Sequence, residues 1–279
     1  MMHRNLLVFD IETIPDTDAV TNLTGFTDPD VSARRKELER YHLDATDGRN
    51  AFPRQCFHKV VCISFLLAEI DRVDGREVYY LKELRSGGSE KSNEAELVAG
   101  FFQFMARHQP RLVSFNGRGF DLPVLKYRAM VHGLGADVLY ASARRDKWEN
   151  YQSRYSADWH CDLLEQLSDF GASARLRLNE IASVLGLPGK IGTDGGDVAG
   201  LYDDGLIADI RDYCETDVLN TYLVFLRWSL LTGRLDRDGY NRGAADIIAL
   251  IEAEGAERPH LAEFLEAWGE ASGNRFLLS

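Results

Sequence analysis

The hydrophobic positions along the chain predict strands mainly in its first half. Apolar runs bounded by turn residues predict strands at residues 6–11, 59–70, 77–84 and 111–115, and the turn sequence DRVDGR joins the second and third into an antiparallel hairpin. Apolar residues at helical spacing predict a helix over residues 92–108, capped by Ser92 or Asn93. The order strand, hairpin, helix, strand, helix is typical of a mixed α/β fold.

The second half is mostly helical in pattern. Helices are predicted at residues 120–131, 161–170, 178–186, 206–231, 244–255 and 260–268. Residues 17–50 are polar, with a short helical pattern at residues 31–42, and we expect them to form an insertion on the surface. We find no internal repeat, low-complexity tract or linker. We therefore expect one domain over residues 1–279, with a core of about residues 5–231 and a helical C-terminal extension, residues 232–279.

The first predicted strand ends in two acids. In LLVFDIET, the apolar residues 6–9 are followed at once by Asp10 and Glu12. Since successive side chains of a strand point to opposite faces, Asp10 and Glu12 share one face and Ile11 points the other way into the core. Two like charges this close raise each other's pKa unless a cation lies between them. On this stretch alone, a metal site and a solvated strand end are both open.

A third acid follows the strand at residues 111–115. In NGRGFDLP, Asn-Gly is a strong turn signal, and Asp121 falls at the predicted start of a helix. Asp121 either caps that helix, which is worth about 1 kcal/mol, or binds a ligand at the carboxyl end of a strand, where α/β proteins place their sites. The two roles are compatible.

A fourth acid lies on the predicted helix that contains IRDYCETDVLNTYLVFLR. Tyr213 and Asp217 are four residues apart and therefore share a face of this helix. Val218, Tyr222 and Phe225 fall close to that face and are predicted to press it against the sheet. An Asp on an inward face is costly to bury unless it is paired or bound to a metal. The alternative is a half-exposed acid on an amphipathic helix.

Composition and charge limit the classes of function. The 279 residues are 45% hydrophobic and 27% charged, as in soluble globular proteins. No apolar run approaches the roughly 18 residues of a membrane span, and the apolar stretch at the N-terminus is too short for a signal peptide. We therefore expect a cytoplasmic protein that does not contact membranes. The net charge of −12 counts against a nonspecific nucleic-acid-binding module, which is usually basic, but not against a metal-dependent nuclease, whose site must be acidic.

The cysteines give no sign of a zinc site. The four cysteines form no C-x-x-C pair, and His160 beside Cys161 lacks further ligands. Cys62 and Cys214 lie in apolar or acidic-motif segments and are predicted to be small buried thiols.

Taken together, DIET, NGRGFD and YCETD resemble the three motifs of the DEDD superfamily of 3′-5′ exonucleases, in the subgroup with a tyrosine in the third motif (DEDDy). The likeness extends to a bacterial family of predicted 3′-5′ exonucleases related to the exonuclease domain of family B DNA polymerases. It runs from about Leu6 to Arg227 and includes HCDLLEQLSDFG and LGLPGK. The resemblance implies an RNase H-like α/β fold, in which helices flank a mixed five-stranded sheet with Asp10 on the central strand.

The resemblance also implies the catalytic residues, which are Asp10, Glu12, Asp121, Tyr213 and Asp217. Two divalent ions, Mg²⁺ or Mn²⁺, suit oxygen ligands and can bind the attacking water and the leaving 3′ oxygen. We expect Asp10 to bridge the ions, Glu12 and Asp217 to complete the water-binding site, and Asp121 to hold the second ion. Since a phenol is a poor base at neutral pH, Tyr213 is expected to orient the water.

Four further residues are candidates for holding the 3′ end. Phe120 can stack on a terminal base, or it is only a core anchor. Thr13 and Asn116 are candidate contacts to the terminal nucleotide. Lys190, in the glycine-rich loop at residues 188–198, can approach a phosphate, although an ordinary surface loop is an alternative.

The leading hypothesis is a two-metal 3′-5′ exonuclease that acts on single-stranded or frayed DNA. The first alternative is a 3′-5′ exoribonuclease that trims RNA or short oligoribonucleotides, because only contacts to the 2′-hydroxyl separate the two substrates. The second alternative is a non-catalytic nucleic-acid-binding module. The sequence does not indicate protein partners.

Overall fold

The protein is built around a mixed sheet whose central strand carries the first pair of acids. The computed structural model describes residues 3–144, 146–191 and 198–279. Its strands are β1 (Asn5–Pro15), β2 (His58–Val73), β3 (Arg76–Gly87), β4 (Arg111–Ser114) and β5 (His160–Asp162). They form one five-stranded sheet in the order β3-β2-β1-β4-β5. β1 is antiparallel to β2 and parallel to β4, so the predicted mixed sheet, with Asp10 on its central strand, is confirmed.

Helices cover both faces of this sheet. They are α1 (Val20–Thr24), α2 (Val31–Ala45), α3 (Glu94–His108), α4 (Asp121–Val131), α5 (Asp137–Ala141), α6 (Leu163–Leu167), α7 (Leu178–Leu185), α8 (Val198–Asp203), α9 (Ile207–Leu231), α10 (Arg237–Glu254) and α11 (Pro259–Ser272). Short 3₁₀ helices lie at Thr17–Ala19, Gln55–Phe57 and Asp169–Gly171. In the three described ranges, no helix is both long enough and apolar enough to cross a membrane.

The side chains of β1 alternate between two hydrophobic cores. Leu7, Phe9 and Ile11 pack into a core that includes residues of α3 and α4. Leu6 and Val8 pack on the other side, into a core dominated by α9, α10 and α11. Because the alternation continues along the strand, Asp10 and Glu12 lie on the face that meets α9, and Ile11 faces away, as predicted.

The long helix α9 holds the acidic end of β1 against the second core. Its Val218, Tyr222 and Phe225 are fully buried, as predicted from their spacing. The C-terminal helices contribute Leu261 and Trp268 to the same core. The helices of residues 232–279 are therefore packed against the rest of the fold. That the whole chain forms one domain stays a prediction.

The prediction of a continuous helix over residues 161–170 is wrong. Cys161 and Asp162 belong to β5, which pairs in parallel with β4, and all three β5 residues are buried. The Asp162 carboxylate then caps α6 by accepting the amides of Leu164 and Glu165. Because strand passes into helix without a loop, the helical hydrophobic spacing of the second element obscured the first.

Two other helices differ from prediction in length. The surface insertion contains a 15-residue helix, α2, rather than a short patch. α10 begins at Arg237 instead of residue 244. Asp236 caps α10, and the two glycines that follow, Gly239 and Gly243, weaken the helical pattern in the sequence while being buried in the structure.

Candidate active site

Three acids that are distant in sequence meet on the α9 side of β1. Asp10 comes from the strand, Asp121 from the first turn of α4 and Asp217 from the middle of α9. Asp121 Oδ1 accepts the backbone N–H of Ile11 at 3.2 Å, which ties the start of α4 to the strand. Burial raises the pKa of Asp10 well above its usual value, and the charges of Asp121 and Asp217 raise it further.

Glu12 joins the same group. Its side chain is buried, and its pKa is raised first by that burial and then by the charges of Asp10 and Asp217. The pair predicted from the spacing of DIET is therefore close to both acids contributed by the helices.

The pKa values of the remaining carboxylates are also raised. Burial raises the pKa of Asp121 to about 7, although its own amide and that of Ile11 donate to it. Burial raises the pKa of Asp217 to about 6, against the opposing effects of the Tyr213 hydroxyl and Lys190. Because each added negative charge opposes the next, these carboxylates cannot all ionise readily near neutral pH without a compensating cation.

A tightly built loop positions Asp121. Asn116 has a φ of 68°, and its backbone N–H donates to Asp162 Oδ1 at 3.0 Å. A Cβ on Gly119 would lie 2.5 Å from Asn116 Oδ1, so a larger residue there would displace the Asn116 side chain. The N-cap of α4 is Phe120, without a side-chain cap bond, and Asp121 is the first helical residue. Asp121 is therefore not the capping residue that the alternative interpretation of NGRGFD described.

The third motif supplies a tyrosine and an acid from one face of α9. Tyr213 and Asp217 are joined by a side-chain hydrogen bond, as their spacing predicted. Burial raises the pKa of the Tyr213 hydroxyl strongly, and the charges of Asp217 and Glu12 add to this effect. Lys190 Nζ lies 5.8 Å from the centre of the Tyr213 ring, which brings the predicted phosphate contact to the site. The rest of its loop, residues 192–197, lies outside the described residues.

A cysteine at the site was not predicted to take part in it. The Cys214 thiol donates a hydrogen bond to Asp10 Oδ2 at 3.6 Å. YCETD placed this cysteine beside Tyr213, which is a signal of proximity, but no spacing in the sequence linked it to the first motif. From Cys214, hydrogen-bonded side chains continue through Cys62, Ser64, Ser86 and Glu215.

The other substrate candidates form a partly exposed edge of the site. The Thr13 hydroxyl lies 3.0 Å from His58 Nδ1, and His58 Nε2 donates to the carbonyl of Pro53. Burial lowers the pKa of His58, which favours the neutral ring. The Phe120 ring lies 5.0 Å from the His58 ring and 6.0 Å from that of Phe52, which is 58% exposed.

This donor set fits divalent cations. Asp10, Glu12 and Cys214 offer ligand atoms within 4.8 Å of one another. Asp121 and Asp217 add two more carboxylates, whose negative charges raise the pKa values of Asp10 and Glu12. Carboxylate oxygens are the preferred ligands of Mg²⁺ and Mn²⁺. The residues present are therefore suited to hold these ions.

A comparison with protein families identifies the family to which the chain belongs. Residues 50–268 match the family described as predicted 3′-5′ exonucleases related to the exonuclease domain of PolB. The match includes Asp121, Tyr213 and Asp217, whereas Asp10 and Glu12 precede it. No match is found among curated proteins.

A similar solved structure is the family B DNA polymerase from the hyperthermophilic archaeon Pyrobaculum calidifontis. It is 18% identical, with a TM-score of 0.48, over 91% of this chain and 29% of the polymerase chain. The present chain thus spans well under half of that polymerase. From the family match over most of its length, this chain belongs to the family of predicted 3′-5′ exonucleases related to the exonuclease domain of PolB.

Proposed function

We propose that this protein is a two-metal 3′-5′ exonuclease that removes nucleotides from single-stranded or frayed DNA. The observation that carries the proposal is the position of Asp10, whose half-buried carboxylate is flanked by those of Asp121 and Asp217. Such a concentration of negative charge destabilises the folded protein when no cation is bound. It is explained if the site holds cations and a phosphodiester during its working cycle.

Asp10, Glu12, Asp121 and Asp217 would hold two divalent ions, Mg²⁺ or Mn²⁺. When bound, the ions supply charge relief at the phosphate and lower the pKa of the attacking water. The protein contributes fixed positions: Ile11 holds Asp121 through its backbone amide, and Cys214 donates to Asp10. These hydrogen bonds restrict the rotation of both carboxylates.

Tyr213 orients the attacking water rather than removing its proton. Burial and the charges of neighbouring acids raise the pKa of this phenol, so it stays protonated at neutral pH. A protonated hydroxyl that donates to Asp217 still has lone pairs with which to accept a hydrogen bond from water. Its place one turn before Asp217 puts that acceptor beside the acidic group.

The frayed 3′ end binds along the partly exposed edge of the site. Phe120 and the exposed Phe52 offer aromatic faces on which a terminal base can stack without sequence selection. Thr13 and Asn116 contact the terminal nucleotide, and Lys190 approaches a phosphate.

We also propose that residues 1–279 fold as one domain, since α11 completes the core beneath α9.

Digestion of matched single-stranded DNA and RNA, each labelled at its 5′ end, tests this proposal. The reactions contain Mg²⁺, Mn²⁺ or EDTA. We expect a metal-dependent ladder that shortens from the 3′ end of DNA. A ladder only on RNA would instead assign the protein to RNA trimming, and the absence of cleavage on either strand would refute the exonuclease.

A further inference from the structure

A cationic cavity lies beside the loop that carries Asp121. It has a volume of about 300 Å³, and its lining includes Arg118, Lys126, Arg154 and Glu165. Three cations and one carboxylate give this lining a positive balance in a chain with a net charge of −12. We call it the Lys126 cavity.

Two of the three cations have no carboxylate partner. The Arg118 guanidinium donates to the backbone carbonyls of Tyr151, Ser153 and His160, which are neutral groups. Lys126 is half-buried and makes no hydrogen bond or ion pair with the described part of the chain. Asp162 and Glu165 act on Arg118 electrostatically without a hydrogen bond to its guanidinium, and the lining keeps three cations against one carboxylate.

The third cation, Arg154, also lies near two aromatic rings. Arg154 pairs with Glu165, and its guanidinium lies 5.9 Å from the ring centres of both Tyr155 and Phe170. The Tyr155 side chain is 69% exposed. An exposed aromatic ring next to arginine is the type of surface on which bases of single strands stack.

The cavity lies beside the loop and the first turn of α4 that carry Asp121. Gly119 and Leu122, which also line it, lie on either side of Phe120 and Asp121 in the chain. Lys126 follows Asp121 by five residues of α4, which corresponds to about 7.5 Å along the helix axis.

We propose that the Lys126 cavity binds backbone phosphates of the substrate strand upstream of the nucleotide that is removed, with Tyr155 stacking on an upstream base. The inference rests on the proposed function, since it concerns the same single-stranded substrate. It explains how an acidic protein retains a polyanion: the strand meets a local excess of positive charge before its 3′ end reaches the carboxylates.

Binding of a fluorescein-labelled single-stranded DNA of eight nucleotides tests the inference. Fluorescence anisotropy in Ca²⁺ is measured at several salt concentrations. Lys126→Ala should weaken binding several-fold and reduce the slope of log K against log salt by about 0.7, the value for one lost phosphate contact on a single strand. Tyr155→Ala should weaken binding without changing this slope, because stacking releases no counterions.

Lys82→Ala is the matched control. Lys82 is also a partly exposed lysine. It lies on β3, at the opposite edge of the sheet from β5, and pairs with Glu69 on β2. Its substitution should leave both affinity and slope unchanged. The preference for the eight-nucleotide strand over a three-nucleotide strand should fall in Lys126→Ala and not in Lys82→Ala.

The outcomes separate this inference from the proposed function. If the wild-type protein degrades DNA but Lys126→Ala keeps the wild-type affinity and salt slope, the cavity is not a phosphate site and the exonuclease proposal stands. If Lys126→Ala flattens the slope while the wild-type protein cleaves neither DNA nor RNA, the cavity binds the strand and the exonuclease proposal falls.

Discussion

The hydroxyl of Tyr213 donates a hydrogen bond to the carboxylate of Asp217, one helical turn further along α9. The bond lowers the pKa of Asp217 against the stronger effect of burial. Tyr213 thus serves the site in two ways: it keeps this carboxylate available as an anion, and it fixes its own hydroxyl beside the acids.

Tyr213→Phe is expected to slow turnover without abolishing metal binding. The ring keeps its packing, but the hydroxyl that orients water is lost, and misplacing a reacting group can cost about 10²-fold in rate. Single-turnover hydrolysis and Mn²⁺ titration of the same preparation check this. An unchanged rate would mean that the hydroxyl plays no part in the reaction.

The metal-free protein should lose stability from its acidic site as the pH rises. The pKa values of Asp121 and Asp217, about 7 and about 6, lie above the ordinary value of 3.8. Groups with a raised folded-state pKa contribute stability that is complete below about pH 4 and is lost as the pH rises through 6 and 7. Added Mn²⁺ should therefore stabilise the protein more at pH 8 than at pH 5, because it binds the ionised carboxylates.

Urea unfolding in EDTA at pH 5 and pH 8 measures this effect. The matched protein is the double variant Asp121→Asn and Asp217→Asn, which cannot ionise at these positions. Its free energy of unfolding should exceed that of the wild type by more at pH 8 than at pH 5. A difference that stays constant with pH would contradict the charge repulsion described for the site.

Phe120 is expected to stack on the substrate as well as to pack in the core. Its ring packs against the core beside α4 and also contacts His58 near the exposed Phe52. Phe120→Leu keeps most of the apolar packing but removes the aromatic face, and base stacking is worth about 1–3 kcal/mol. The KM for single-stranded DNA should rise at least about fivefold with little change in thermal stability. A wild-type KM would identify Phe120 as a core anchor only.

The C-terminal extension is fastened to the catalytic helix by a buried ion pair. Glu215, between Tyr213 and Asp217 in sequence, is 3% exposed and binds Arg258 and His260 at the start of α11. Although burial raises the pKa of Glu215, hydrogen bonds from His260, Ser86 and Arg258 hold it below its usual value. The extension thereby stabilises the helix that supplies the third motif.

Arg258→Ala should cost about 3 kcal/mol of the free energy of unfolding, because it removes one partner of a buried charge. Arg258 also pairs with Glu254, whose side chain is 42% exposed. Glu254→Ala is thus the control and should cost less than about 1 kcal/mol. Equal losses in urea unfolding would show that the buried contact has no special weight.

The parts of the site that follow from local periodicity were predictable from the sequence. Alternation along β1 placed Asp10 and Glu12 on one face, and the four-residue spacing on α9 placed Tyr213 beside Asp217. The five-stranded sheet itself came from the resemblance, since His160–Asp162 is too short a strand to have a pattern of its own and leads directly into a helix.

Contacts between distant segments were not predictable in the same way. The hydrogen bond from Cys214 to Asp10 joins residues 204 positions apart, and it depends on how α9 lies across β1. The Lys126 cavity likewise assembles α4 with the loop that contains Arg154, and no periodicity relates these segments. Such features depend on tertiary packing, which one sequence does not specify locally.

The most direct test of the central claim is the rate of 3′-end hydrolysis by the wild-type protein and by Asp10→Asn in Mg²⁺, with Mn²⁺ binding measured in parallel. Asparagine keeps the shape of the side chain and removes its charge. We predict that Asp10→Asn remains folded, binds Mn²⁺ more weakly and does not release nucleotides from the 3′ end. Hydrolysis by Asp10→Asn at the wild-type rate would contradict the assignment of these carboxylates as the metal site of an exonuclease.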